Sequence, residues 1–460
     1  MSISISGLLC TVCRSDRLNH GSDTLTCRTC GQDHPVLGGV PVMFNAVAVN
    51  SEAGAEDDLA SRQVAGAFDL PDDPLTLLRI RTMLRMKVRF GNLLVQAESQ
   101  QFLHRVRNSG HEVEAARVPR GDTNTVRDMV AVPRYRWTKD YLPRRFLPSV
   151  PILANIRLEN VGAVPLYRSG EGCAQVALRW QHRDGASVPA PDMRTPLPID
   201  LAPGCAVTIA IHIAPPERTG AYLLTATLVQ ENVRWLDEGA LTLAVKVSGD
   251  VPGPVPEGWL VRPDPPASYD ADHDLGCALL QDWLRRHASP RPRVLEVGGN
   301  AAPMLARLSE GFGTDLVNAD VDLLGLQIAR LRDLQRGAGL HHVCADAFDL
   351  PFPSGHFDAI VIFASLHHFP EPDALLERLR HRLRPGGFIG LFCEPVGHVW
   401  PGAVHPAFLT ELERGVNEQS FSLREYELMF RRADLKAAEV EVDMNSLKAR
   451  LVHAQPDGAR

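Results

Sequence analysis

Apolar and polar positions follow three distinct rhythms along this chain. Between 150 and 249 five runs alternate with period two: Ile152-Ala154-Ile156-Leu158, Val176-Leu178-Trp180, Val207-Ile209-Ile211-Ile213, Tyr222-Leu224-Ala226-Leu228 and Leu241-Leu243-Val245-Val247. Turn clusters such as Asp184-Gly185 and Pro203-Gly204 separate them. One buried face per strand, with no helical pattern between, predicts an antiparallel β-sandwich over 150–250. From Leu75 to Arg107 the apolar positions recur at spacings of three and four (Leu77, Leu78, Met83, Leu84, Val88), after an Asp73-Pro74 helix start. That spacing predicts helix, and we assign 49–149 to a helical connector. Its arginines, Arg79, Arg81, Arg85 and Arg89 among them, read as a solvated face; a surface for an anionic substrate or nucleic acid is the sharper alternative.

The third rhythm follows a proline-rich stretch. Pro252, Pro254, Pro256, Pro263, Pro265 and Pro266 mark 251–268 as a semi-stiff linker. Beyond it, from 269 to 460, strands and helices alternate. Asp274 to His287 reads as an amphipathic helix, and strands are expected at Val294–Val297, Leu316–Ala319, His342–Cys344, Ala359–Phe363 and Phe388–Cys393. This alternation predicts a mostly parallel, Rossmann-like α/β sheet covered on both faces. The fold class is therefore multidomain: an α/β domain, an antiparallel β-sandwich and a small N-terminal module.

Composition narrows the picture. The chain has 460 residues, enough for about three domains. It is 45% hydrophobic and 22% charged, which excludes bulk disorder. A net charge of −7 does not suit a polyanion-coating protein. Every apolar run falls short of the ~18 residues that span a bilayer, so no membrane span is expected. The opening MSISISGLLC lacks the basic and apolar regions of a secretory signal. Of nine cysteines, four cluster near the start and five are scattered. That odd set argues against a disulfide framework and for a reducing, cytoplasmic setting.

The clustered four are Cys10-x2-Cys13 and Cys27-x2-Cys30, 13 residues apart. Two such knuckles can bring four thiolates to one tetrahedral Zn²⁺, and we assign 1–48 as a zinc ribbon. Four sulfurs close the coordination sphere, so this zinc is structural, and in so small a module the metal supplies much of the folding energy. LLCTVC followed by TLTCRTCGQDHPVLGGVPVMF resembles the zinc ribbon of small activator proteins that partner tRNA and translation-factor methyltransferases. The likeness covers about 40 residues and implies a docking and stabilising element. Few lysines or arginines lie in the ribbon, which disfavours nucleic acid.

VLEVGGN, from Val294 to Asn300, is a buried strand, an acid (Glu296), a glycine turn (Gly298, Gly299) and then a helix. Glycine lets the backbone approach a ligand closely. The next two strands also end in acids, Asp320 in LVNAD and Asp346 in HHVCADAF. In an open parallel sheet these ends line one crevice. A carboxylate at the second strand suits a ribose diol, one at the third suits the adenine amine, and Glu296 suits a cationic amino-acid group. No P-loop lysine is present, which disfavours a nucleoside triphosphate; a dinucleotide is the nearest competitor.

VLEVGGN, VNADVD, CADAFDLPF, FDAIVIFASLHHF and LRPGGF, in this order, resemble class I S-adenosylmethionine-dependent methyltransferases of the UbiE-like branch, over about residues 270–460. The resemblance implies that Glu296, Gly298, Gly299 and Asn300 form the first cofactor motif. It implies that Asp320 with Val321 holds the ribose, that Asp346 and Ala347 hold the adenine, and that Phe363 lines the pocket. Asn300 and Ala302 stand where the family has glycine, although Asn tolerates a left-handed backbone.

Methyl transfer to a hydroxyl requires removal of a proton. His367 and His368 follow the fourth strand, and an imidazole there could act as base, with His367 the better candidate. A structural histidine capping the turn is the plainer reading, and it suits His368. Glu394, His398 and His405 are further acceptor-side candidates. Asn417-Glu418 and Phe421 to Tyr426 are similar to the substrate-side part of sugar-pathway and natural-product methyltransferases. LENVG and the stretch LAPGCAVTIAIHIAPPERTGAYLLTATLVQENVRWLDEG resemble immunoglobulin-like modules of bacterial surface-polysaccharide proteins. Together these imply O-methylation of a saccharide or secondary metabolite, in polysaccharide biosynthesis on the first reading. The alternatives are an RNA or protein methyltransferase that docks through its ribbon, and a non-catalytic scaffold with a decayed cofactor domain. The ribbon and the sandwich also offer surfaces for a partner or for oligomerisation.

Overall fold

The computed structural model describes residues 5–21, 23–43, 62, 132–191, 193–308, 315–337, 339–397, 406–413 and 417–454. The helix expected from Leu75 to Arg107, and His398 and His405, lie outside them. The strands, in chain order, begin with a short N-terminal series: β1 (Leu18–His20), β2 (Thr24–Cys27), β3 (Asp33–Leu37) and β4 (Val40–Met43). A β-rich region follows with β5 (Tyr135–Asp140), β6 (Arg145–Phe146), β7 (Ile152–Asn160), β8 (Ala174–His182), β9 (Arg194–Pro196), β10 (Ala206–Ile213), β11 (Gly220–Gln230) and β12 (Arg234–Val247). The remainder holds β13 (Leu260–Arg262), helix α1 (Tyr269–His287), β14 (Val294–Val297), β15 (Leu316–Asp320), α2 (Leu323–Arg336) and β16 (His341–Ala345). It closes with β17 (Phe357–Phe363), α3 (Pro372–Arg380), β18 (Leu383–Pro395), α4 (Pro406–Glu413), α5 (Leu423–Arg432), β19 (Leu435–Asp443) and β20 (Ser446–His453).

The chain divides into two compact units. One takes the N-terminal strands together with Glu257–Val396 and the chain from Glu427 onward; the other takes the β-rich region up to Pro256 and the excursion Gly397–Tyr426.

The first unit is built on one sheet of twelve strands among the described residues, in the order β1-β2-β3-β4-β16-β15-β14-β17-β18-β20-β19-β13. β14 to β18 are mutually parallel, and β20 runs antiparallel to β18. β14, β15 and β17 are buried along almost their whole length, as strands covered on both faces must be. Trp283 and Leu280 of α1 pack with Val294, Ala359, Phe388 and Phe392 in one apolar cluster. α1 starts at Tyr269 because Ser268 caps it, its hydroxyl accepting from the Ala271 amide.

Three features depart from expectation. The N-terminal strands are not a detached module: β4 pairs in parallel with β16, Val42 opposite Cys344. Val40 and Val42 pack with Leu323, Leu326 and Cys344, so the edge of the parallel sheet is covered rather than left open. The proline-rich stretch is not all linker, because Leu260–Arg262 pairs in parallel with β19. The segment assigned to a helical connector turns to strand at Tyr135–Asp140, which joins β7.

Among the described residues the second unit holds two sheets, β10-β7-β5 and β6-β12-β11-β8-β9, antiparallel except for the short β6–β12 pair. The alternating residues of all five predicted runs meet in one apolar cluster, including Ile156, Trp180, Ile211, Leu224 and Val245. Trp180 is gripped edge-on by Phe146 at 5.4 Å and by Tyr222 at 6.0 Å. The opposite face of β7 is buried too, although it is polar. The Asn155 amide N–H donates to Glu425 Oε1 at 2.7 Å, and Arg157 donates to Asn417 Oδ1 at 2.8 Å. No described helix is long and apolar enough to cross a membrane.

Candidate functional site

The strand order of the first unit reverses between β14 and β17. In an open parallel sheet the crevice beyond the carboxyl ends at such a reversal is where ligands bind. Four elements meet there.

The first is the turn after β14. Gly298 has φ +82°, and a Cβ there would stand 2.6 Å from Ser365 Oγ; at Gly299 it would stand 2.6 Å from Asn318 Oδ1. Only glycine fits either place. Asn300 also takes a positive φ, +43°. Glu296 lies 1% exposed beneath the turn, and its carboxylate accepts from the amides of Met304 at 2.9 Å and Leu305 at 2.8 Å. Both of its oxygens therefore cap the following 3-10 turn, rather than only awaiting a ligand's amino group. Burial pushes its carboxyl up to about 7.

Asp320, at the end of β15, accepts from the Asn300 amide at 2.9 Å and the Asp322 amide at 2.8 Å. Burial, with the nearby Asp322 charge adding to it, pushes its carboxyl up to about 6. The Val321 carbonyl accepts from the Cys344 thiol at 3.5 Å. Asp346 follows β16 and caps the turn Ala347–Asp349, accepting from the Phe348 amide at 2.8 Å, with Ala347 buried behind it. Asp320, Asp346 and the Gly298–Asn300 turn thus stand at neighbouring strand ends. Phe363, expected to line the pocket, stacks its ring on Phe392 at 4.5 Å and joins the apolar cluster under α1.

The fourth element is the turn Leu366–His368 after β17. Glu394, fully buried at the end of β18, accepts from the amides of Ser365 (2.9 Å), Leu366 (2.8 Å) and His367 (3.1 Å). It also faces His367 Nδ1 at 2.9 Å. A ring nitrogen against a carboxylate carries the proton, so Nδ1–H donates to Glu394. His368 lies beside it, the ring centres 4.0 Å apart.

The four N-terminal thiols converge: Cys10 Sγ lies 3.6 Å from Cys30 Sγ and Cys13 Sγ lies 3.5 Å from Cys27 Sγ, and all four sulfurs lie within 4.8 Å of one another. Against a burial that would raise it, amide hydrogen bonds from Cys30 and Thr29 hold the Cys27 thiol down to about 6. The first knuckle is tied to the crevice side of the sheet. The Leu9 amide donates to the Pro351 carbonyl at 2.8 Å, Arg14 donates to the Leu350 carbonyl at 3.2 Å, and Arg14 pairs with Asp349.

In the second unit a cavity of about 290 Å³ is lined by Asn155, Arg168, Thr208, Leu197, Phe408 and Gln419 among others. Its polar wall is already organised, with Thr208 Oγ1 donating to Gln419 Oε1 at 2.6 Å and Asn155 Nδ2 donating to the Ser420 carbonyl at 2.8 Å. Asn417, expected on the substrate side, instead accepts from Arg157 in this polar layer. Sequence reasoning passed over the β7 polar face and Asn318. The signal for Asn318 is a lone amide inside a strand that otherwise reads as buried and apolar.

Residues 295–391 match the model of the methyltransferase domain family. The ubiquinone/menaquinone biosynthesis C-methyltransferase UbiE of Shewanella sp. (strain W3-18-1) is 32% identical over 131 residues, 26% of this chain and 52% of that protein. The UbiE of Coxiella burnetii (strain Dugway 5J108-111) is 30% identical over 133 residues, 27% of this chain and 53% of that protein. The chain thus spans about half the length of the curated relatives it matches. A solved SAM-dependent methyltransferase from Aquifex aeolicus is 18% identical, covering 38% of this chain and 88% of that one, at a TM-score of 0.30. The matched segment runs from β14 into β18 and contains the glycine turn, Glu296, Asp320, Asp346 and His367.

Proposed function

We propose that this chain is an S-adenosylmethionine-dependent methyltransferase acting on a hydroxyl of a saccharide or secondary metabolite. The observation that carries the reading is the set of strand-end groups around the sheet reversal, lying inside the matched methyltransferase segment. S-adenosylmethionine, when bound, supplies a methyl group on a sulfonium. Asp320 accepts from the ribose hydroxyls, and Asp346 with Ala347 receives the adenine edge. Gly298, Gly299 and Asn300 bring backbone close to the ligand, Val321 borders the ribose side, and Glu296 sets the turn.

His367 serves as general base through Nε2, with Glu394 holding its tautomer and stabilising the imidazolium that forms. His368 packs beside it as a supporting ring. The cavity of the β-rich unit, which we read as an immunoglobulin-like sandwich, offers a small hydroxylated molecule both polar groups and apolar surface. A carbon acceptor is the second reading, favoured by the printed activity of the UbiE relatives.

The cysteine quartet fits zinc. Sulfur spacings of 3.5–3.6 Å are close to the ~3.8 Å edge of a tetrahedron with Zn–S bonds of ~2.3 Å. Cys10, Cys13, Cys27 and Cys30 would hold it as a structural ion.

The reading is tested with labelled donor and a panel of monosaccharide and phenolic acceptors. His367→Asn should lower label transfer by roughly 10²–10⁴-fold. Transfer that stays undiminished in the His367 variant would remove the base from the mechanism; label found on carbon would favour the second reading.

A further inference from the structure

Asn318 sits at the centre of β15 and is 0% exposed. Its side-chain amide Nδ2 donates to the Asn300 carbonyl at 3.1 Å and reaches His342 Nδ1 at 3.3 Å. An amide nitrogen only donates, so His342 Nδ1 accepts and the imidazole proton sits on Nε2. That Nε2 lies 2.6 Å from Asp333 Oδ2 of α2. The direction of the whole chain is therefore fixed: Asn318 donates to Asn300 and to His342, and His342 donates to Asp333. His342 is 3% and Asp333 4% exposed. The polar chain crosses from an outer helix through two strands to the turn after β14.

Asn300 is what the chain reaches. Its backbone amide donates to Asp320 Oδ2 at 2.9 Å, and its own side chain donates to Asp322 Oδ2 at 3.2 Å. A non-glycine residue at φ +43° needs its surroundings to hold it there. Asn318 fixes the carbonyl of Asn300, and Gly299 leaves room for the Asn318 Oδ1 that lies against it. Fixing this stretch of backbone also helps to aim the Asn300 N–H that orients the Asp320 carboxylate.

We propose that Asn318 is a positioning residue for the cofactor turn, held in its working orientation by His342 and Asp333. The inference rests on the reading of Asp320 as the ribose-holding acid. It explains why a buried amide interrupts an apolar strand and how asparagine replaces glycine at 300: the turn is kept by side-chain bonds rather than by glycine freedom alone.

Three readouts test this on the full-length, zinc-loaded protein. Asn318→Ala should weaken S-adenosylhomocysteine binding by roughly tenfold, the loss of about one hydrogen bond. In the same variant, deuterium exchange of the peptide spanning 298–304 should quicken by about tenfold, with no ligand present. Asp333→Ala, remote from the crevice, should reproduce both effects at about threefold, while Asp333→Asn keeps an acceptor for His342 and restores wild-type values. Nitrogen-15 spectra of histidine-labelled protein should place the His342 proton on Nε2, the signal being assigned by its loss in His342→Gln. Unchanged exchange at the turn in both alanine variants, or a proton on His342 Nδ1, would overturn the proposal. Wild-type protein that ignores S-adenosylhomocysteine while the turn still loosens in Asn318→Ala would remove the cofactor reading and keep the positioning role of Asn318.

Discussion

The N-terminal module and the crevice at the sheet reversal hold their shape by opposite means. The module has few buried side chains of its own, Leu8, Leu25, Val36, Val40 and Val42 among them. Its four thiols draw two knuckles together, and its last strand borrows the edge of β16. The crevice is backed by a dense apolar sheet, so its groups are aimed by hydrogen bonds: Glu296 under one turn, Glu394 under another, and Asn318 beneath a third side of the same site. A small module depends on one cluster, so a single change there has an all-or-none effect. A packed sheet spreads the task over many bonds, so single changes there tune a site without unfolding it.

The sharpest way to break this contrast is Cys27→Ser. One bound zinc per chain should fall to none, and the module should lose several kcal/mol of stability, read by metal analysis and by thermal unfolding. Zinc stoichiometry that survives would end the four-thiolate assignment. Next comes Asp320→Ala, which should weaken S-adenosylhomocysteine binding by about 100-fold, since a charged acceptor is lost, while the melting temperature changes little. Asp346→Ala should cost about tenfold by calorimetry; normal affinity would overturn the adenine assignment.

A pH series separates stability from binding at one residue. Asp320 moves from an ordinary 3.8 to about 6 in the folded chain. Its contribution to stability is therefore full below 3.8 and is lost as pH rises through about 6. Ligand affinity should run the other way, rising across that range because the ionised carboxylate is the better acceptor for ribose hydroxyls. Asp320→Asn should flatten that part of the profile. The smallest effect is expected from Arg14→Ala. It removes the half-exposed pair with Asp349, which is worth up to about 1 kcal/mol, and any larger fall in ligand affinity would mean that the module and the crevice are more tightly joined than their geometry requires.

Much of this was legible in the residues, for physical reasons. Strands buried on both faces read as apolar runs, so Val294–Val297 and the four that follow stand out, and the period-two runs mark the core face of β7, β8, β10, β11 and β12. Cysteine spacing marked the quartet, and acids placed at successive strand ends marked the crevice. What escaped was long-range. β13 hides among prolines because a strand of three residues, all exposed, leaves no apolar pattern. β4 gave no sign that it would pair with β16, some 300 residues away, because register between distant strands is not written in local periodicity. Asn155 and Arg157 read as a solvent face, since nothing nearby announces that residues 417–425 return to cover them. Asn318 carries an ordinary residue name in an ordinary strand, and Glu394 was legible only as a strand-end acid on the acceptor side; only the fold reveals what they bond.

The central claim is that the strand ends around β14 form one cofactor crevice, and calorimetric titration of the zinc-loaded protein with S-adenosylhomocysteine tests it most directly. The account predicts saturable binding at one site per chain, weakened in Asp320→Ala. Well-folded protein that takes up no ligand, or that binds it equally in the variant, would contradict it.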